Sequence, residues 1–83
     1  MLKHDEINEP QSCWNKARDG ERVFVLLGRD VAAPAAIRAW CSWRISEGKN
    51  VASDPQIVEA FEYARLMEID QLRDAPSRSV TQP

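Results

Sequence analysis

From about residue 31 onward, apolar positions recur with the spacing of a helix. Ile37, Trp40, Cys41 and Ile45 fall at i, i+3, i+4 and i+8, one stripe of a helical surface, while Ala36 and Trp43 lie on a different face. Asp30 offers a capping carboxylate, and Pro34 suits a first turn whose N–H groups need no helical partner. Gly48 is a natural stop, with Lys49 at the negative end of the dipole. The pattern predicts a helix over about 31–47. Asp54-Pro55 opens another, a cap followed by proline at the first helical position. Its main stripe is Ile57, Ala60, Phe61, Ala64 and Met67, widened by Tyr63, Leu66 and Ile69, and it is expected to run over about 55–73. A short loop between two long helices predicts an antiparallel hairpin with Trp40 and Phe61 in its core.

The first third is less regular. Residues 1–11 lack periodicity and are expected to be flexible. Ser12 can cap a short helix over Cys13–Asp19, stopped by Gly20, with Trp14 its one large apolar side chain. Arg22–Leu27 reads R-V-F-V-L-L, which suits a short strand or extended segment, although periodicity alone also allows a helical turn. A lone strand leaves its backbone groups unpaired, so its natural partner is the same strand of another copy. The short helix and this segment are expected to cover one side of the hairpin. Residues 75–83, with two prolines and two serines, read as a disordered tail. The expected fold is mainly α: one helical domain over 12–74.

Composition narrows the class. The chain has 83 residues, little more than the ~70–80 below which one core rarely suffices, so a homo-oligomer is expected. Its 43% hydrophobic and 29% charged residues, with net charge −2, are the balance of a globular protein. No apolar run is long enough to span a membrane, and MLKHDEINEP has no secretory core, so a cytoplasmic location is expected. Cys13 and Cys41 read as reduced thiols, and His4 is the only histidine, too few ligands for zinc. Charge is uneven: residues 12–53 carry seven basic side chains against four acids, and residues 54–83 three against six.

No phosphate-binding loop, dinucleotide fingerprint or nucleophile elbow is present, and His4 stands far from any nucleophile, so neither an enzyme nor a cofactor is expected. The remaining constellation is Gly28, Arg29, Arg38, Arg44, Lys49 and Asn50, with Trp43 as a stacking surface. A glycine turn before a helix N-terminus can hold an anion, and arginine forks suit phosphate. Asp30 competes for the same N–H groups. Arg44 is i+6 from Arg38, so the two would converge only across an oligomer interface, for which Trp43, Tyr63, Leu66 and Ile69 are the candidates. Acids such as Glu59, Glu62 and Glu68 on the last helix suggest instead a surface for a protein partner. Duplex nucleic acid is not expected from a net acidic chain without a basic stripe.

Three stretches, S-C-W-N-K-A-R-D-G-E-R-V-F-V-L-L-G-R-D (Ser12–Asp30), A-P-A-A-I-R-A-W (Ala33–Trp40) and G-K-N (Gly48–Asn50), resemble a group of small uncharacterised phage and prophage proteins. The resemblance implies an accessory factor acting in the host cell, with no activity or catalytic residue carried over. In that setting three readings follow. The first is an oligomer that sequesters a nucleotide-type signal to counter bacterial immunity. The second is an inhibitor that binds a host nuclease or CRISPR effector through its acidic helix. The third is a structural or assembly component without a ligand.

Overall fold

The structure, a computed structural model, describes residues 2–81, with side-chain surroundings for residues 2–74. It is mainly helical. The elements are α1 (Lys3–Asn8), α2 (Cys13–Lys16), α3 (Ala33–Ser46) and α4 (Pro55–Thr81), with no strand among the described residues. The two long helices pack against each other as the sequence pattern predicts.

Local chemistry sets the ends of α3. Pro34 lies in its first turn, and Ala32 occupies the N-cap without a side-chain bond. Asp30 acts two residues earlier than expected: its Oδ1 accepts the Ala32 N–H at 2.9 Å, shaping the turn that leads in. At the other end Gly48 has φ 71°, the left-handed conformation that glycine adopts without steric cost. The Gly48 N–H donates to the Ile45 carbonyl and the Lys49 N–H to the Arg44 carbonyl, the paired bonds of a Schellman stop. The start of α4 also differs in detail. The Asp54 carbonyl receives the Ile57 and Val58 N–H groups, but its carboxylate turns back to accept from Val51 N–H at 3.1 Å. It closes the loop rather than capping the helix.

The seam between α3 and α4 is built from small side chains. Ala33, Cys41, Ile57 and Ala64 are fully buried, and Ala60, Met67 and Gln71 continue the α4 stripe, partly buried. On α3 the buried line runs through Pro34, Ile37, Cys41 and Arg44. It is rotated from the expected stripe, and two large residues expected in the core fall outside it: Trp40 is 41% exposed and Phe61 39%. Alanine and cysteine bring the two helices close at the seam, and Arg38 and Arg44 beside it are partly buried.

The N-terminal residues form local structure that the lack of periodicity did not suggest. Lys3–Asn8 is helical, and α2 docks on it. Asn15 Nδ2 donates to the carbonyls of Ile7 and Glu9, both at 2.8 Å, and the Trp14 N–H donates to Glu6 Oε1 at 2.8 Å. Ser12, 2% exposed, donates its hydroxyl to the Glu6 carbonyl and accepts the Asn15 N–H as the α2 cap. Helix α2 stops at Lys16, short of Asp19, because Ala17 turns extended with ψ 138°. Neither α1 nor α2 packs on the long helices, so the short helix does not cover the hairpin as expected. The chain therefore forms two packed pairs joined by residues 17–32.

Within that connection Glu21–Leu27 has neither helix, strand nor turn, so the expected strand is not formed within the single chain. The radius of gyration, 14.7 Å, exceeds the ~12 Å of a compact chain of this length. Helix α4 passes the expected end at Arg73. The tail expected over residues 75–83 lies outside the residues whose side chains are described.

Candidate functional site

Two of the candidate arginines are engaged within the hairpin. Arg38 on α3 gives a two-pronged bond to Glu68 on α4, with NH1 and NH2 donating at 2.8 and 2.7 Å. The bond raises the Arg38 pKa and holds the Glu68 carboxyl below its ordinary range. Arg44 donates from Nε to Asn50 Oδ1 at 2.7 Å, and Asn50 Nδ2 donates onward to Asp54 Oδ2 at 2.8 Å. The Arg44 guanidinium also stands over the Trp40 ring, 5.7 Å from its centre, within cation–π range. Arg44 and Asn50 are thus brought together as a lock on the loop. Lys49 beside them is exposed and forms no ion pair among the described residues.

Gly28 and Arg29 sit at the opposite end of the hairpin. Gln71 Nε2 donates to the carbonyls of Gly28 and Asp30, at 2.8 and 2.9 Å, and ties the connection to α4. Gly28 also lies close on Met67: a Cβ there would fall 3.3 Å from Met67 Cγ. Arg29, Arg73, Asp70, Asp74, Gly28 and Gln71 line an open groove of about 420 Å³. The 14 residues of α3 span ~21 Å at 1.5 Å each, so this cluster is a helix length from Arg44, Lys49 and Asn50. Arg38 lies between the two clusters, already paired. The seven expected ligand contacts do not converge in one chain.

The expected interface residues are unevenly placed. Trp43 is 67% exposed, Leu66 and Ile69 are exposed, and Tyr63 is partly buried. A stripe absent from the sequence reading joins Val58, Phe61, Ile69 and Leu72, which recur on one face of α4 and are all exposed. The carboxylates of α4 are mostly paired. Glu62 binds Arg65, which lowers the Glu62 pKa and raises that of Arg65, and Asp70 approaches Arg73 at 3.6 Å. Among the described residues no three His, Cys, Asp or Glu side chains converge as a metal site. No helix among them is long and apolar enough to cross a membrane. Cys13 is exposed, and Cys41 is buried with its thiol pKa pushed up by desolvation. Sequence reasoning missed Gln71 and Asn15, whose roles arise from backbone carbonyls that only the fold brings within reach. Compared with known proteins, the chain matches no family model, no curated protein and no solved structure.

Proposed function

We propose that this protein works without catalysis, as a small oligomeric binding protein whose targets are other polypeptides. One observation carries the reading: large apolar side chains lie mostly outside the seam. Trp14, Trp40, Trp43, Phe24, Phe61 and Leu72 are all exposed, whereas the fully buried apolar residues among those described are Ala33, Cys41, Ile57 and Ala64. Exposed aromatic and aliphatic residues on this scale mark contact surfaces. The resemblance to phage proteins supplies a setting, a host defence protein as partner in the bacterial cytoplasm. The pairing of Glu62, Glu68 and Asp70 with arginines favours the apolar faces over an acidic mimic as the contact.

Sequestration of a nucleotide-type signal is the second reading. It draws on Arg29, which has no ion pair among the described residues and lines the groove. Against it, Arg38, Arg44 and Asn50 already have internal partners. Titration calorimetry with a panel of cyclic and linear nucleotides separates the two. The protein-binding reading expects no heat, and expects Trp43→Ser and Leu72→Ser to abolish partner capture while helical circular dichroism is kept. Micromolar nucleotide binding that Arg29→Glu abolishes would replace it with the second reading.

A further inference from the structure

We infer that residues 22–27 form a two-stranded antiparallel ribbon with the same residues of a second copy, with Val25 on the two-fold axis. The inference rests on the oligomeric part of the proposed function and specifies where the copies meet. Among the described residues, no backbone N–H from Arg22 to Leu27 donates to a backbone carbonyl, and no carbonyl from Arg22 to Leu26 accepts one. The same segment displays Val23, Phe24, Val25 and Leu27 to solvent, Phe24 at 86% exposure. A row of unpaired backbone groups flanked by β-branched and aromatic side chains is a template for strand pairing.

Both ends of the segment are fixed in the single chain. At its start the Glu21 N–H donates to the Arg18 carbonyl at 2.9 Å, and Glu21 Oε1 accepts the Arg18 N–H at 3.0 Å. Just past its end the Gly28 carbonyl is held by Gln71 at 2.8 Å. The span between is presented rather than folded away.

Charge complementarity favours a second copy as occupant and a register centred on Val25. Pairing centred on Val25 sets Val23 opposite Leu27 and Phe24 opposite Leu26, and the ladder ends there, because the Asp30 N–H bond to the Leu27 carbonyl at 3.0 Å turns the chain at Gly28 and Arg29. Just past the ends of the ladder, Glu21 of each copy comes within side-chain reach of Arg29 of the other, twice by symmetry. Arg29 has no ion pair among the described residues, and Glu21 keeps one carboxylate oxygen free. A shift by one residue toward the C-terminus sets Arg22 against Arg29, and the opposite shift loses the charge pair. Parallel in-register pairing stacks Arg22 on Arg22. Like charges directly opposite destabilise a ladder, so these alternatives are disfavoured. In the favoured register Val23, Val25 and Leu27 of both strands share one face, as side chains alternate across a ribbon.

The test is light scattering of the full chain across micromolar concentrations. The expected mass is twice 9.4 kDa. Val25→Pro removes an N–H from the ladder and should raise the dimer dissociation constant at least tenfold, with helical circular dichroism unchanged. Glu21→Arg or Arg29→Glu alone should raise it about three- to tenfold, and the two together should restore it, because the pair is then reversed rather than lost. A dimer indifferent to Val25→Pro, or a double charge swap that fails to rescue, overturns the strand pairing alone. A chain that stays at 9.4 kDa overturns both it and the oligomeric reading.

Discussion

Ile57 and Phe61 sit one turn apart on α4, and their surroundings differ sharply. Ile57 is fully buried and Phe61 39% exposed. Ile57→Ala should cost ~2–5 kcal/mol, the range for a buried aliphatic residue, and Phe61→Ala clearly less when chemical denaturation is followed at low protein concentration. Equal losses would mean that Phe61 is covered. The thiols offer a second contrast. Cys41 is buried with its pKa raised by desolvation, and Cys13 is exposed. A thiol-reactive dye should label one cysteine per native chain quickly, and both in denaturant. Hydrophobic spacing made Ile57, Ala64 and Cys41 readable as core. It misjudged Trp40 and Phe61, because spacing gives a direction around the helix but not the width of the seam.

At the scale of elements, the two long helices were legible in their stripes and stop signals, and the Arg38–Glu68 strap was not. Thirty positions separate its partners, and only the antiparallel arrangement brings them together. The strap has a pH signature. Glu68 and Glu62 have folded-state pKa values below the ordinary carboxylate range. Their contribution is therefore fully present above the unfolded carboxylate pKa and is lost as pH falls through the lowered folded value. The thermal midpoint should drop on acidification, and Glu68→Gln should flatten that drop. Because both carboxylates are at the surface, added salt should weaken the same contribution. The loop lock is also testable. Asn50→Ala removes the link between Arg44 and Asp54 and should destabilise the hairpin by ~1 kcal/mol for each hydrogen bond lost, seen as an earlier urea midpoint.

For the whole molecule, the division into an α1–α2 pair and an α3–α4 pair was not legible, because the N-terminus carries no periodic stripe. What orders it is a set of polar contacts around Asn15, Ser12 and Glu6. Such contacts leave no hydrophobic repeat to read. The candidate anion-binding residues lie apart in the single chain for a related reason: they are adjacent or helically spaced in sequence, and a hairpin distributes them along its length. Since neither short helix packs on the long ones, trypsin should cut first at Arg18 and Arg22, in the exposed connection. The remaining hairpin should keep its helical circular dichroism. Rapid loss of helix on cleavage would show that the N-terminal pair supports the hairpin after all.

Gln71 holds the connection with a neutral amide, bonded to the carbonyls of Gly28 and Asp30. Neither an amide nor a carbonyl takes up protons in the range where carboxylates do. Acid therefore acts selectively on the fastenings of this molecule: the arginine–glutamate strap across the flank is lost as pH falls through the lowered Glu68 value, while the Gln71 bonds to the connection are not titrated. The C-terminal end of residues 22–27 is thus held by a bond that acid leaves untouched.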